Sequence, residues 1–506
     1  MSPGLDAAPG IVAITLVTIA TLAIGTWGLR FSRTTSDFFV ASRTVHPRLN
    51  ASAIGGEYLS AASFLGVAGL VLINGADMLW YPVGWTAGYL VLLVLVAAPL
   101  RRSGAYTLPD FAEARLGSRG VRAVCSVLVV AIGWLYLIPQ FKGAGLTLRS
   151  AVGAPIWVGP VIVSMVVLAN VTMGGMRSIT FVQAFQYWLK LTALLVPAAV
   201  LLVVWAGDGA TRTDGGGEWS LPLAPGGAEG LYVTYSLIVA TFLGTMGLPH
   251  VVVRFYTNPD GRAARRTTLA VLVLLGLFYL LPPVYGALGR IYAPELATAG
   301  SSDALVLELP RIMVDGPLGE VLTGMVTAGA FAAFLSTSSG LSIAVAGVMS
   351  QDITGRARLR GRRLGGVAAF RLGAVAAVTV PCIIALLAPD LGVARAVGLA
   401  FAMAAATFCP LLLLGIWWRG LTSVGAIAGL VAGGIGSAVA IAWTVRVSAP
   451  SGWVDALMGQ PAAWTVPLAL VTMVAVSRLT RARVPADAGR FLVRLHTPET
   501  LELDRG

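Results

Sequence analysis

Charged residues are scarce in this sequence, and lysine is almost absent. Only 11% of the 506 residues are charged, whereas 57% are hydrophobic, a balance that excludes a soluble globular protein of this length. Of the 35 basic residues, only Lys142 and Lys190 are lysines. The three cysteines, Cys125, Cys382 and Cys409, fall in apolar segments without metal-ligand spacing. They therefore indicate small buried hydrophobic residues rather than a metal centre.

Long apolar segments recur along the whole chain. Each is about 20 residues long, which is enough for a helix to cross a hydrocarbon core of about 30 Å. We predict 13 membrane spans, at 9–29, 51–73, 78–100, 121–147, 155–175, 181–206, 230–253, 267–289, 319–350, 366–388, 396–418, 422–445 and 461–477. The sequence therefore predicts an all-α polytopic protein of about 13 transmembrane helices in the cell (inner or plasma) membrane.

Arginines are concentrated in alternate loops. Most of them, Arg115 and Arg254 included, fall in the loops on one side of the predicted bundle. The positive-inside rule places that side in the cytoplasm, with the N-terminus outside and the C-terminus inside. Because membrane insertion accounts for the net charge of +12, we expect no nucleic-acid partner. On the outer side, residues 301–315 are predicted to form an amphipathic surface helix.

One acidic residue, Glu57, lies well inside a predicted span, in the run GEYLSAASFLG. An ionised group in the bilayer costs about 3 kcal/mol or more, so such residues usually mark a site. Glu57 is predicted to be a proton-titrating group, a salt-bridge partner of Lys142 or Lys190, or a cap in an aqueous vestibule. For the two lysines, the alternative to a role in the site is that their ammonium groups reach the membrane interface.

Two predicted spans contain residues that interrupt a helix. Gly55 and Gly56 weaken span 2, and Gly247 and Pro249 interrupt span 7. Each begins a group of five spans, and because five is odd the two groups cross the membrane in opposite senses. Interrupted helices at equivalent places of an inverted repeat point to a transporter binding site. The predicted parts are an extra N-terminal helix and cytoplasmic loop (1–50), the first repeat (51–206), the second repeat (230–418), and two C-terminal helices with a cytoplasmic tail (419–506).

Span 9 carries a run of hydroxyl side chains, AFAAFLSTSSGLS. Ala333, Ser336 and Thr337 are spaced i, i+3, i+4 and so share one helix face. Sodium prefers oxygen ligands, as calcium and magnesium do, and two hydroxyls with carbonyl oxygens make a suitable neutral cage. The alternative is that the hydroxyls bond the carbonyl four residues back, or only allow helices to pack closely.

Several motifs together resemble the sodium:solute symporter family. They are GEYLSAASFLG in span 2, YLIPQFKGAG in span 4, GGMRSITFVQAFQ entering span 6, GTMGLPHVVVRFYTNPD leaving span 7 and AAFLSTSSG in span 9. The resemblance extends over residues 9–480 and is strongest to the cation/acetate and other monocarboxylate permeases. It implies a LeuT-type fold of two inverted five-helix repeats, transport by alternating access, and Na+ as the coupling ion.

The resemblance also implies a set of sodium ligands. The family binds sodium with backbone carbonyls of its broken second span, which correspond to Gly56 and Leu59 in this sequence. From span 9 it uses one carbonyl and two hydroxyls, which correspond to Ala333, Ser336 and Thr337. The resemblance thus adds two carbonyls to the helix face identified above from spacing.

Two departures from the family concern coupling. Many members carry an aspartate near the start of span 6, where this sequence has Gln183. Lys190 lies about two turns further along the same face, and a lysine in this region can stand in for a second cation. The number of coupled ions is therefore open. Glu57, Lys190 and Gln183 form the predicted coupling group.

A third departure concerns the substrate. The proline carriers of the family have aromatic residues just before the Pro-His pair of span 7, whereas this sequence has Thr241 and Thr245. A smaller and more polar cavity weighs against proline or a sugar and favours a small carboxylate. We expect that carboxylate to be held by the threonine hydroxyls, by Gln140 or by Lys142.

Together these features predict a transporter rather than an enzyme. The predicted function is sodium-coupled import of a small monocarboxylate such as acetate, propionate or pyruvate. A proton-coupled monocarboxylate symporter and a sodium-coupled, proline-like amino-acid symporter are the alternatives. The sequence lacks the charged rings of a channel, a kinase motif for a sensor, and the catalytic motifs of an intramembrane enzyme. The predicted partners are the lipid bilayer and a small organic anion, and the chain is a monomer or an oligomer of unknown size.

Overall fold

Helices account for almost all of the described structure. The computed structural model describes residues 8–28, 30, 41–210, 219, 226–298, 301–352, 358–359, 362–363, 365–387, 392–447, 452–499 and 501. In the first part of the chain the α-helices are α1 (Ala8–Gly28), α2 (Pro47–Tyr58), α3 (Val67–Asn74), α4 (Trp80–Val91), α5 (Ala97–Arg102), α6 (Leu108–Leu116), α7 (Arg119–Val152) and α8 (Val158–Gly207). They continue as α9 (Gly227–Gly247), α10 (Pro249–Phe255), α11 (Gly261–Tyr279), α12 (Leu281–Tyr292), α13 (Glu295–Thr298), α14 (Leu305–Met313), α15 (Gly316–Asp352), α16 (Gly366–Leu387), α17 (Val393–Trp417), α18 (Ser423–Arg446), α19 (Trp453–Gly459), α20 (Ala462–Leu479) and α21 (Ala488–His496).

Short segments of other geometry join these helices. Two π-helical turns, Ala62–Gly66 and Leu92–Val96, precede α3 and α5. Two-residue strands, β1 (Arg358–Leu359) and β2 (Arg362–Arg363), pair antiparallel between α15 and α16. The 3₁₀ turns are Ala41–Arg43, Gly75–Leu79, Ser302–Ala304 and Arg481–Arg483. The amphipathic surface helix predicted over residues 301–315 corresponds to α14, and most of the apolar side chains of α14 are buried.

Eleven helical stretches of the described chain are long and apolar enough to cross a membrane. One of them, Ala62–Arg102, holds the second half of predicted span 2 together with span 3, and another, Val158–Gly207, holds spans 5 and 6. Within the latter the helical path is interrupted at Gly175, whose φ of 59° and ψ of −160° suit only glycine. The all-α polytopic class is thereby confirmed. The number of 13 spans, their orientation and the division into repeats stay predictions.

The centre of the bundle is α15. All residues of its most apolar 18-residue stretch are buried, whereas only 22% of the residues in the corresponding stretch of α1 are buried. Helix α15 packs mainly on α7, α8 and α16, so it contacts both predicted repeats. Large apolar side chains such as Val203 and Leu387 are exposed on the outside of the bundle, where a polytopic protein faces lipid tails.

The interruption predicted in span 7 is present. Helix α9 ends at Gly247, Leu248 is extended with φ −70° and ψ 120°, and α10 begins at Pro249. Proline suits the first position of a helix because the N–H that it lacks has no partner there. Proline and the preceding residue together therefore divide this span, as the sequence indicates.

The interruption in span 2 lies after the glycine pair rather than at it. Helix α2 continues through Gly55 and Gly56 to Tyr58, and Leu59 leaves the helix with ψ 86°. The glycines lie where α2 crosses α8: a Cβ on Gly56 would meet the carbonyl oxygen of Gln183 at 2.0 Å. The expectation that this pair breaks the helix was wrong, because its role is to let two helix backbones come close.

Arg115, which the sequence places in a loop, is buried in the structure. Arg115 lies at the end of α6 and is 2% exposed. Its guanidinium donates to the carbonyl oxygens of Gly415 at 2.9 Å and Trp418 at 3.0 Å, at the C-terminal end of α17. The last carbonyls of a helix have no partner within the helix, so a cation there satisfies them and complements the helix dipole.

The close approach of α2 and α8 is tested by Gly56→Ala. The added methyl group overlaps a backbone oxygen, so we expect a loss of about 1–3 kcal/mol in stability and a lower midpoint of thermal unfolding in detergent. Gly276→Ala is the matched control, since a Cβ there meets nothing within 4 Å and alanine favours a helix by about 1 kcal/mol over glycine. An unchanged midpoint for Gly56→Ala would contradict this packing.

Candidate functional site

Lys190 of α8 reaches into the interruption of the second span. The residue is 0% exposed, and its Nζ donates to the carbonyl oxygens of Gly56 at 2.5 Å and Leu59 at 2.6 Å. A third bond goes to Oγ of Ser336 in α15, at 3.0 Å. An ammonium group has three N–H donors and no acceptor, so every donor of Lys190 has a partner. The lysine thus joins α2, α8 and α15.

The hydroxyl residues of α15 face the same interruption. Ser336 Oγ lies 3.1 Å from the carbonyl oxygen of Ala333. Thr337 Oγ1 donates to the backbone carbonyl of Glu57 at 2.6 Å, and so bonds across to α2 rather than back along its own helix. The five residues of the implied sodium set therefore belong to one hydrogen-bonded cluster between α2 and α15.

The carboxylate of Glu57 pairs with an arginine where the sequence suggested a lysine. Arg254 Nε lies 2.5 Å from Glu57 Oε2, and the two side chains are 1% and 3% exposed. The same guanidinium donates to Thr180 Oγ1 at 3.0 Å and to Gln183 Oε1. Room for the carboxylate comes from Gly340 of α15, where a Cβ would lie 2.1 Å from Glu57 Cδ. The pair is therefore enclosed on every side by protein.

Gln183 connects this ion pair to the lysine. Its Oε1 accepts from Arg254, and its Nε2 donates to the carbonyl oxygen of Ser336 at 2.8 Å. Ser336 Oγ is in turn bonded to Lys190. The structure therefore brings the predicted coupling group, Glu57, Lys190 and Gln183, into one network and adds Arg254 to it.

Sodium does not fit this arrangement of residues. Three oxygens of the implied ligand set already accept hydrogen bonds from the Lys190 ammonium. A sodium ion in the same cage would lie within about 4 Å of that group, where two unit charges repel by about 4 kcal/mol at an effective dielectric constant near 20. That repulsion lowers affinity about a thousandfold. In this arrangement the Nζ of Lys190 lies against these oxygens.

A second group of buried polar atoms lies beside the interruption in span 2. Gln140 Oε1 accepts the N–H of Ala61 at 3.0 Å, while its Nε2 has no hydrogen-bond partner among the described residues. Trp85 Nε1 and Tyr89 Oη also lack a hydrogen-bond partner among the residues that the structure describes. Tyr58 links the two aromatic residues, because its hydroxyl donates to the Trp85 carbonyl at 3.3 Å and its ring lies 4.9 Å from that of Tyr89. Such unpaired buried groups need an explanation, and a bound ligand supplies one.

Aromatic rings pack against Trp85 and Tyr89. The ring of Phe401 lies between 5.7 and 6.2 Å from the rings of Tyr58, Trp85 and Tyr136. His250, just after the interruption in span 7, lies edge-on to Tyr136 at 5.3 Å. Neither of its ring nitrogens has a partner in the described chain. The two interrupted helices therefore meet at one aromatic-lined region.

The threonines predicted to bind substrate lie at a helix contact. Thr241 Oγ1 and Thr245 Oγ1 each donate to the carbonyl one turn earlier, at 2.8 Å. Thr241 is packed against α4, since a Cβ on Gly84 would meet its Oγ1 at 1.9 Å. Thr245 Oγ1 lies 2.7 Å from the Tyr58 hydroxyl and so joins the aromatic region. Lys142 is half-buried on α7, and its role in binding stays a prediction.

Sequence reasoning missed Arg254, Trp85 and Tyr89. For Arg254 a signal was available: a helix that restarts near the midplane rises about 1.5 Å per residue and needs about ten residues to reach the surface. Arg254 follows the interruption at Leu248 by six residues, so it is still inside the bundle. Trp85 and Tyr89 sit in a uniformly apolar span, where nothing in the sequence distinguishes an inward-facing ring from a lipid-facing one.

The buried ion pair predicts a large effect of breaking it. Glu57→Gln leaves Arg254 buried without a counter-charge, so we expect about 3–5 kcal/mol of destabilisation, measured by unfolding in detergent. Glu57→Gln combined with Arg254→Gln should recover part of that loss, because no charge is then unpaired.

Glu308→Gln is the matched control for this substitution. Glu308 pairs with Arg311 at a more exposed position, where the side chains are 20% and 31% exposed, and such pairs contribute about 0–1 kcal/mol. Equal losses for Glu57→Gln and Glu308→Gln would contradict the account of a buried, charge-balanced pair.

Solved structures resemble this fold over nearly its whole length. A substrate-bound, outward-open Na+-coupled sialic acid symporter superposes with a TM-score of 0.69 at 15% identity, covering 93% of this chain and 98% of that one. Mhp1, a nucleobase-cation-symport-1 family transporter, superposes with a TM-score of 0.54 at 13% identity, covering 90% and 98%. At this identity the likeness shows the fold alone, and the expected LeuT-type fold is confirmed.

Sequence relatives are closer. The symporter YwcA of Bacillus subtilis (strain 168) is 30% identical over 448 residues, which is 85% of each chain. A monocarboxylic acid transporter of Corynebacterium glutamicum is 30% identical over 475 residues, 87% of this chain and 84% of that one. The model of the sodium:solute symporter family matches residues 38–433 of this chain. The chain is therefore a multi-pass membrane protein that belongs to the sodium:solute symporter family.

Proposed function

We propose that the protein is a secondary active transporter that imports a small monocarboxylate, such as acetate, propionate or pyruvate, by alternating access. The family is one of transporters, and the relative from Corynebacterium glutamicum is named for monocarboxylic acids. Two interrupted helices that meet at one region support a binding place near the middle of the bundle.

One observation carries the choice of substrate. Three of the unpaired polar atoms around the interruption, Gln140 Nε2, Trp85 Nε1 and Tyr89 Oη, carry hydrogens that they can donate. A carboxylate is an acceptor-only group with two oxygens, so it matches a set of donors. Aromatic rings pack against Trp85 and Tyr89, and such a lining suits a short hydrocarbon chain.

The buried charges support an anion as well. In their ordinary ionised forms, Lys190 and Arg254 carry two positive charges against the single negative charge of Glu57. A region with this excess attracts an anion and disfavours the ammonium group of an amino acid. The proline-like alternative is therefore less well supported than the monocarboxylate.

Sodium coupling is the part of the prediction that the site supports least. The oxygens that the family resemblance assigns to the ion accept hydrogen bonds from Lys190. A proton-driven form of the same uptake is the second candidate, and this filled cage is the observation that favours it. A monocarboxylate that enters with one proton moves no net charge, so such uptake follows the pH gradient rather than the voltage.

Uptake of labelled acetate, propionate, pyruvate and proline into proteoliposomes tests the substrate. We expect at least one monocarboxylate to be accumulated and to be displaced by the other two, with proline inactive. Accumulation of proline without any monocarboxylate would contradict the proposal.

Two substitutions test the donors directly. Trp85→Phe removes one N–H, and Gln140→Leu removes the amide NH2 together with the Oε1 that accepts the Ala61 N–H. Losing a hydrogen bond to a charged group costs about 1.5–3 kcal/mol. We expect KM for the transported anion to rise about tenfold to a hundredfold. The matched controls are Gln186→Leu, whose amide bonds Thr21 in α1, and Trp134→Phe, two residues from Tyr136 and so on another face of α7. Equal effects in controls and test variants would contradict this placement of the substrate.

A further inference from the structure

The ammonium of Lys190 lies where the family resemblance implies a sodium ion. Its Nζ donates to the carbonyl oxygens of Gly56 at 2.5 Å and Leu59 at 2.6 Å and to Ser336 Oγ at 3.0 Å. All three oxygens belong to the implied ligand set. From this geometry we infer that Lys190 takes the place of the ion: the protein holds a tethered cation in this cage and binds no sodium there.

The position of Lys190 follows from the way α8 packs against α2. Gln183, Tyr187 and Lys190 are spaced i, i+4, i+7, so they share one face of α8. The backbone of Gln183 lies against Gly56, and the ring of Tyr187 lies against Gly55. A Cβ added to Gly56 would lie 2.0 Å from the Gln183 carbonyl oxygen, and one added to Gly55 would lie 2.8 Å from the Tyr187 ring. The next position along this face is Lys190, which therefore meets the interruption that follows Tyr58. The glycine pair brings the lysine close enough to reach the carbonyls.

One charged side chain interacts with this lysine, and a second is paired with the first. Glu57 from α2 and Arg254 from α10 form an ion pair of their own, and Glu57 is also near enough to Lys190 to interact with it electrostatically. From α15, the described contact to Lys190 is the neutral hydroxyl of Ser336. The cluster therefore already has more positive than negative charge, and a metal ion would increase the excess.

A tethered cation has a direct consequence for transport. It cannot leave with the substrate, so a sodium gradient adds no driving force to uptake. This consequence rests on the proposed transport function, whereas the absence of sodium binding is a property of the chain alone. The two statements are therefore tested separately.

Sodium binding to the purified full-length protein tests the inference without reference to transport. We expect no saturable binding of radioactive sodium to the wild type. We also expect the same midpoint of thermal unfolding in sodium chloride as in choline chloride, because only a ligand that binds the folded state raises it. Saturable sodium binding to the wild type would overturn the inference.

Lys190→Ala should convert the cage into a sodium site, because it removes the ammonium and leaves the oxygens free. We expect this variant to bind sodium and to unfold at a higher temperature in sodium chloride than in choline chloride. Adding Ser336→Ala should weaken that response, since one ligand is lost. Lys142→Ala, which changes the other lysine, should bind no more sodium than the wild type.

The outcomes are decisive in each case. A folded Lys190→Ala protein that does not respond to sodium contradicts the inference. Where that variant does not fold, binding to the wild type decides the question.

Uptake provides the separate transport result. We expect the wild type in proteoliposomes to import its monocarboxylate at the same rate with external sodium or choline, and a sodium-dependent increase contradicts the inference. Failure to transport any tested monocarboxylate under any gradient contradicts the proposed substrate instead. In that case, sodium binding to the purified protein still tests the role of Lys190.

Discussion

A lysine ammonium held by two carbonyl oxygens of an interrupted helix and by one serine hydroxyl is the contact on which this site depends. Backbone groups released from a helix inside a membrane must find partners within the protein, since lipid offers none. Lys190 supplies donors for Gly56 and Leu59, and its own charge is stabilised by their dipoles. The interruption and the buried lysine therefore stabilise one another.

The rest of the site is built around this contact. Ser336 and Gln183 link the lysine to the ion pair of Glu57 and Arg254, so that helices α2, α8, α10 and α15 share one polar network in an otherwise apolar bundle. Those helices come from both predicted repeats. A network that joins the two halves is suited to alternating access, because relative movement of the halves changes it and its charges directly. The unpaired donors of Gln140, Trp85 and Tyr89 flank the same interruption of span 2, where the substrate anion would meet the field of this network.

Several parts of the fold and site could be predicted from the sequence because they follow from local chemistry. Apolar runs fix the helices, Pro249 fixes the interruption in span 7, and the spacing of Ala333, Ser336 and Thr337 fixes their common face. The interruption in span 2 was predicted at the wrong residues, because a glycine pair can either break a helix or let two helices pack closely. Arg254 and the occupant of the cage depend on which helices meet, and a single sequence does not contain that information.

The inferred occupant of the cage is the protein's own ammonium, that of Lys190. A high-resolution cryo-electron microscopy map of the wild type, prepared in sodium chloride, tests it most directly. We expect density at the carbonyl oxygens of Gly56 and Leu59 that is continuous with the side chain of Lys190. A separate, isolated peak at the centre of these oxygens, with Lys190 turned away from them, would contradict it.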